Sequence, residues 1–135
     1  MAQEKKFENK VKKYLESMGV YPFGTPEQRM NNAPIGYYEK RWGGAFVKSG
    51  LPDLSVCVCG FTIEIELKAE HGKPSEIQKF MLRQINQSKS FGILLYPKDF
   101  ERFKEFIEKL ILFASANETS KVMKKEFEDL LKGGM

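Results

Sequence analysis

The chain has 135 residues, of which 41% are hydrophobic and 13% aromatic, and its formal net charge is +4. This length predicts one domain, and the hydrophobic content is high enough for a packed core, which excludes a disordered chain. A small basic excess is compatible with a polyanionic partner but does not require one. The sequence has no apolar run that could span a membrane and no apolar stretch of a signal peptide near its start, so we expect a cytoplasmic protein.

The first predicted element is an amphipathic helix over residues 4–18. Apolar side chains recur there at helical spacing: Phe7, Val11, Tyr14, Leu15 and Met18. Gly19 is a typical residue just beyond a helix end. Glu8 lies at the border of the apolar stripe, where it is either a charge at the edge of a helix face or a functional acid.

Residues 22–44 are rich in Pro, Gly and Asn and are predicted to form a long irregular segment. The segment mixes cationic and aromatic side chains: Arg29, Tyr37, Tyr38, Lys40, Arg41 and Trp42. The favoured interpretation is a loop that its aromatic side chains hold to the core. The alternative is contact with nucleic acid, because aromatic rings stack on bases and cations bind phosphates.

The remaining elements define the fold class. Strands are predicted at 45–48, 54–59, 61–68 and 91–96, and helices at 75–89, 99–114 and 118–132. A Gly turn at Gly60 predicts an antiparallel hairpin. The strand–helix–strand passage from 61 to 96 predicts a right-handed crossover and a parallel pair. We therefore expect an α/β fold in which a mixed sheet is flanked by helices on both faces.

The strand at 61–68 carries an unusual set of charges. Alternation along the sequence FTIEIELK puts Glu64, Glu66 and Lys68 on one face, which is ordinarily a half-exposed polar face. The hairpin, however, brings Asp53 close to Glu66 and Lys68. Two carboxylates a few ångströms apart repel each other unless a cation lies between them, and oxygen ligands suit Mg²⁺ or Mn²⁺. Glu64 faces the same side and either competes for such a metal or is simply solvated.

Pro52-Asp53, followed by Glu66-Leu67-Lys68 on the next strand, resembles the motif of the PD-(D/E)xK nuclease superfamily. The stretch AEHGKPSEIQ is similar to the VRR-NUC and Holliday-junction-resolvase-like branch, through Gly72, Ser75 and Gln78. The resemblance covers about residues 4–97. It implies a restriction-endonuclease-like core with the order αβββαβ in a single nuclease domain of residues 1–135, extended by C-terminal helices over about 98–135.

The resemblance implies a Mg²⁺-dependent (or Mn²⁺-dependent) DNA endonuclease that hydrolyses phosphodiester bonds, structure-selectively on branched DNA such as four-way junctions. The implied metal ligands are Asp53, Glu66, the Leu67 carbonyl and Glu8. Lys68 would orient or deprotonate the attacking water or stabilise the charged transition state, and Gln78 would support it. Ser75 and Gln78 also match a helix capping box, and both interpretations of Gln78 stay open.

Cationic and polar side chains near the motif are candidate DNA contacts: Lys48, Lys73, Ser75, Lys79 and Arg83. An ordinary solvated helix face explains the last two equally well. We expect recognition of DNA shape and backbone by a homodimer in a bacterial or phage-infected cell, with the helices at 99–114 or 118–132 as the dimer seam or as core. The alternatives are a catalytically silent nucleic-acid-binding or assembly module of the same fold, and a small interaction protein without a nucleic-acid role.

Overall fold

The computed structural model of the protein describes residues 2–26, 35–42, 49–116 and 125–132. Its elements, in chain order, are helix α1 (Ala2–Ser17), strands β1 (Val20–Pro22), β2 (Gly36–Lys40), β3 (Leu54–Val58) and β4 (Phe61–Leu67), helix α2 (Glu76–Gln87), strand β5 (Phe91–Leu95), a 3-10 turn (Pro97–Asp99) and helix α3 (Phe100–Ala116). Residues 125–132 are also helical.

The five strands form one mixed sheet in the order β1-β2-β3-β4-β5. β3 is antiparallel to both of its neighbours, whereas the outer pairs β1–β2 and β4–β5 are parallel. Cys59 and Gly60 close the β3–β4 hairpin with φ angles of 50° and 87°, as a two-residue turn that follows the right-handed strand twist requires. The expected α/β fold with a mixed sheet and flanking helices is confirmed.

The core lies between one face of the sheet and helices α1 and α3. On the sheet it contains the inward side chains of β4, and the helices contribute one apolar stripe each. Its fully buried side chains include Val11, Leu15, Ile63, Ile65, Leu67 and Ile107. The amphipathic pattern of the first helix therefore identified the face that packs on the sheet.

Helix α2 covers the opposite face of the sheet. A Cβ atom added to Gly92 of β5 would lie 3.1 Å from the Leu82 carbonyl oxygen, so glycine allows this close approach of helix and strand. The helical spacing of Ile77 and Phe80 in the sequence predicts a core face on α2, but these side chains remain 47% and 48% exposed. The prediction that both are buried in the core is therefore wrong.

The prediction of an irregular segment over residues 22–44 is wrong for Gly36–Lys40, which form β2 between β1 and β3. Gly36 does not interrupt the strand. Glycine is required at this position, because a Cβ atom here would lie 1.8 Å from the Cys57 carbonyl oxygen on β3. The predicted strand at 45–48, with Lys48, lies outside the described residues, as do residues 118–124 of the last predicted helix.

The other predicted elements begin and end within two residues of their observed bounds. Their periodicity was strong enough to define both type and extent. No helix in the described part of the chain has the length and apolar character needed to cross a membrane.

Candidate functional site

Asp53 and Glu66 lie side by side at the end of the β3–β4 ladder. The register pairs Leu54 with Ile65, so the preceding and following residues, Asp53 and Glu66, are the next opposed pair. The Leu67 amide donates a hydrogen bond to Asp53 Oδ2 at 2.8 Å and holds that carboxylate against β4. The structure thus brings together the two acids that the sequence singled out.

Glu66 is almost completely buried, with 2% of its surface exposed. Burial raises the pKa of the Glu66 carboxyl to about 8, the neighbouring Asp53 adds to this rise, and the positive charge of Lys68 opposes it. The expectation of a half-exposed polar face on this strand is wrong, because Glu64 is buried as well. The buried Glu66 carboxyl and the adjacent, partly exposed Asp53 carboxyl therefore share a site that favours a proton or another cation between them.

Lys68 and Gln78 contact opposite oxygens of Glu66. Lys68 Nζ lies 3.9 Å from Glu66 Oε2, and Gln78 Nε2 donates to Glu66 Oε1 at 3.2 Å. Gln78 Oε1 also accepts from the backbone amide of Ser75, while Ser75 Oγ accepts from the backbone amide of Gln78, so the capping box is formed. The capping interpretation of Gln78 is confirmed, and the same side chain also contacts Glu66.

Glu8 is buried on α1 and is surrounded by lysine ammonium groups. Its carboxylate accepts hydrogen bonds from Lys5, Lys12 and Lys40. Burial disfavours the charged form of Glu8, but these three hydrogen bonds outweigh that cost and lower its pKa to about 2. Lys40 Nζ also lies 3.9 Å from Asp53 Oδ1, so an ammonium group stands between Glu8 and Asp53.

Glu64 is paired with Arg41 and is neither solvated nor available as a metal ligand. Arg41 Nη1 donates to Glu64 Oε2 at 2.6 Å, and Ser55 Oγ donates to Glu64 Oε1 at 2.9 Å. The same guanidinium donates to the Pro52 carbonyl at 3.0 Å, and the Arg41 amide donates to the Asp53 carbonyl at 2.8 Å. Arg41 therefore fixes the backbone that carries Asp53.

Sequence reasoning assigned neither Lys40 nor Arg41 to this site. Both follow from β2, which pairs Lys40 with Leu54 and so directs the end of the strand toward Asp53. The signal that could have identified them is the alternation in GYYEK, in which Tyr38 is buried and its two neighbours are not. The predicted irregular segment concealed this alternation.

The candidate DNA contacts lie around the site but not in it. Lys73, Ser75, Lys79 and Arg83 are all exposed, on the loop before α2 or on α2 itself. Lys79 forms a surface ion pair with Glu76 at 3.1 Å, which is an ordinary contribution to a solvated helix face. Lys48 lies outside the described residues.

A cleft of about 410 Å³ opens beside Asp53, at the N-terminal end of α1. It is lined by Glu4, Lys5, Glu8, Lys40, Arg41, Trp42 and Asp53. Trp42 is 70% exposed, whereas Tyr38 is buried in the core. The expected anchoring of this region to the core by aromatic side chains is therefore found for Tyr38, which lies in strand β2 and not in a loop, and is wrong for Trp42.

The donor set partly fits a divalent cation. Asp53, Glu66 and a backbone carbonyl are the oxygen ligands that Mg²⁺ accepts while it keeps several waters. A close pair of carboxyl groups, one of them with a raised pKa, is also a site where such a cation would replace a proton. Within the described ranges no group of three or more His, Cys, Asp or Glu side chains is arranged to hold a metal. Glu8 does not complete the set, because its oxygens are engaged by lysines.

Comparisons of the chain with protein-family models, with curated proteins and with solved structures find no match. The resemblance to the PD-(D/E)xK superfamily consequently rests on Pro52-Asp53 and Glu66-Leu67-Lys68. The element order does not add to it, because the described residues contain four strands between α1 and α2, whereas the implied order αβββαβ has three.

Proposed function

We propose that the chain is a metal-dependent endonuclease with a restriction-endonuclease-like core, which hydrolyses phosphodiester bonds in branched DNA such as four-way junctions. One observation carries the proposal: Asp53 and Glu66 are opposed on adjacent strands, with Lys68 Nζ 3.9 Å from Glu66. Placing a second carboxyl group beside the buried Glu66 is unfavourable, so a structural role alone gives no reason for the pair. A reaction that needs a divalent cation and a positive charge beside a phosphate does give one.

The ligands would be Asp53, Glu66 and the Leu67 carbonyl, and Mg²⁺ or Mn²⁺ bound there would activate water and neutralise charge on the phosphate. The Leu67 amide and Arg41 keep Asp53 at the end of the ladder. Gln78 holds one oxygen of Glu66, which leaves the other directed toward Lys68. Lys68 would orient the attacking water and stabilise negative charge in the transition state.

Positive charge around the site supports DNA as the substrate. Lys5 and Lys40 line the cleft beside Asp53, and a second cleft of about 540 Å³ is lined by Lys6, Lys10 and Lys98, among others. Lys73, Lys79 and Arg83 extend the exposed positive charge toward α2. Such contacts bind phosphates and carry no sequence information, so we infer that this single domain recognises DNA shape. We further propose that it acts in the cytoplasm of a bacterial or phage-infected cell.

We also propose that the enzyme is a homodimer, because symmetric sites suit paired cuts across a junction. Exposed apolar side chains near the end of α3 and in the helical residues 125–132 support this: Leu112, Phe113, Phe127, Leu130 and Leu131. Light scattering coupled to size exclusion would measure the mass. A monomer at concentrations that support cleavage would contradict the dimer while leaving the nuclease intact.

A second candidate is a catalytically silent nucleic-acid-binding module of the same fold. Lys40 favours it, because its ammonium already bridges Glu8 and Asp53 and balances charge where a metal would bind. This arrangement would allow Asp53 to stay beside the buried Glu66 without a metal. The two candidates differ in turnover and agree in DNA binding.

The experiment is cleavage of end-labelled four-way junction, flap and linear duplex DNA with Mg²⁺, with Mn²⁺ and with EDTA. Wild type is compared with Asp53→Asn and Lys68→Ala, and with Glu101→Gln as a control carboxylate on the exposed surface of α3. We expect metal-dependent cuts in wild type and the control that are lost in both site variants. Junction binding without cutting would support the silent module, and neither binding nor cutting would refute both candidates.

A further inference from the structure

We propose that Trp42 stacks on an unpaired DNA base beside the Asp53–Glu66 pair, so that the substrate carries an unpaired or splayed nucleotide near the bond to be cut. The statement about the cut bond rests on the proposed nuclease function. The base-binding site itself does not, because it follows from the cleft and is testable without cleavage.

The exposure of Trp42 is the first observation. Its side chain is 70% exposed, although burying an indole removes roughly 150–250 Å² of surface from water and most Trp side chains are largely buried. The aromatic residues of β2 behave differently: Tyr38 is in the core, and Tyr37 packs on Phe23 with ring centroids 5.0 Å apart. Trp42 therefore presents a broad apolar surface that the described part of the fold leaves largely uncovered, apart from the ammonium groups of Lys5 and Lys40 over its ring.

The surroundings of the ring are the second observation. Lys5 Nζ and Lys40 Nζ each lie 5.9 Å from the Trp42 ring centroid. These ammonium groups would repel a cationic ligand, which excludes the quaternary amines and methylated lysines that aromatic cages bind. They would attract a ligand that combines a flat ring with an adjoining negative charge, and a nucleotide has both.

The position of the cleft is the third observation. Lys40 Nζ, 5.9 Å from the ring centroid, is also 3.9 Å from Asp53 Oδ1, so the indole lies about 10 Å or less from this carboxylate. That distance corresponds to about three stacked nucleotide steps of roughly 3.4 Å each. The cleft lining contains three carboxylates, Glu4, Glu8 and Asp53, and three cationic side chains, of which Lys5 and Lys40 place their ammonium groups beside the Trp42 ring.

The exposed Trp42 indole can stack only on a base that is unpaired and unstacked. In a continuous duplex both faces of each base are covered by neighbouring bases, so an indole at the protein surface cannot reach them. Branch points and single-stranded flanks expose such faces. The geometry thus points to unpaired DNA next to the branch, not to duplex DNA, as the strand that enters this cleft.

The test uses fluorescence, because Trp42 is the one tryptophan in the chain. Full-length protein in EDTA, where metal-dependent cleavage is absent, is titrated with a short oligo-dT, with an abasic oligonucleotide of equal length and charge, and with a blunt duplex. We expect oligo-dT to quench Trp42 fluorescence and to bind about 5- to 150-fold more tightly than the abasic strand. Duplex and abasic strands should leave the fluorescence unchanged.

Variants extend the test to affinity. By fluorescence anisotropy of labelled oligo-dT, Trp42→Ala should lose the preference for bases and Trp42→Phe should retain most of it. Phe23→Ala is the matched control, an exposed aromatic residue that packs on Tyr37 and lies outside the cleft. Equal affinity of wild type for oligo-dT and abasic strands, or equal quenching by both, would overturn the proposal. Quenching by oligo-dT without any metal-dependent cleavage would retain the base site and refute only the nuclease.

Discussion

Replacing Glu66 with Gln should remove a large pH dependence of stability. The folded-state pKa of Glu66 is raised from the ordinary 4.5 to about 8, since burial and the adjacent Asp53 disfavour its charged form. Between these two values the folded protein keeps a proton that the unfolded chain has lost. The free energy of unfolding therefore receives its full contribution from Glu66 below pH 4.5 and loses it as pH rises to 8, by up to about 5 kcal/mol.

Gln is a suitable replacement because it has the shape of a protonated Glu and does not titrate. Its carbonyl can still accept from Gln78 Nε2, and its amide can donate toward Asp53. We expect urea denaturation in EDTA to give similar unfolding free energies for wild type and Glu66→Gln near pH 4.5. The variant should become progressively more stable than wild type toward pH 8.5, whereas the exposed control Glu101→Gln should follow wild type throughout.

Metal binding should compete with protonation of Glu66. Mg²⁺ or Mn²⁺ bound between Asp53 and Glu66 requires the charged form, so added metal should raise the unfolding free energy of wild type more at pH 8.5 than at pH 6. Glu66→Gln should respond weakly at both values, and EDTA should reverse the gain. Parallel unfolding curves of wild type and Glu66→Gln from pH 4.5 to 8.5 would refute the reasoning, because Glu66 would then have the same pKa in the folded protein as in the unfolded chain.

Three further perturbations test other parts of the site and sheet. Glu8→Gln should reduce the fall in unfolding free energy at acid pH. The pKa of Glu8 is lowered to about 2, so urea melts of wild type should show a loss of up to about 3 kcal/mol as pH falls from 4.5 to 2. Gly36→Ala should cost about 3 kcal/mol or more, because its Cβ would lie 1.8 Å from a backbone oxygen, whereas Gly72→Ala, at 3.4 Å, should cost less than about 1 kcal/mol. Gln78→Ala should lower the unfolding free energy by about 1 kcal/mol and slow junction cleavage, since it removes the side-chain half of the capping box and the donor to Glu66. A variant with normal stability and cleavage would contradict the double role of Gln78.

The sequence predicted the part of the site that lies on a regular hairpin. Glu66 and Lys68 follow from strict alternation, and Asp53 follows from the short Gly turn that fixes the strand register. Gln78 follows from a capping box of defined spacing. These local rules need no knowledge of distant contacts, which is why the predicted and observed positions agree.

The contribution of β2 could not be predicted in the same way. Its Gly36 and its charged end resemble a loop, and the strand exists because β1 and β3 pair with it on either side. Burial of Glu64 was also missed, because it depends on Arg41, the residue that directly follows β2. Long-range pairing thus determined the features that alternation and turn signals left undefined.

Lys40 lies between the carboxylates of the site and the cleft that contains Trp42. Its ammonium contacts Glu8, lies near Asp53 and lies near the Trp42 ring. A phosphate attached to a base stacked on Trp42 would compete with Asp53 for this ammonium, because both are anionic acceptors. Such competition would release the Asp53 carboxylate to a divalent cation, and by linkage the cation would favour the bound DNA equally. In that case the lysine that balances the acids without metal is also the group through which DNA and metal would strengthen each other's binding.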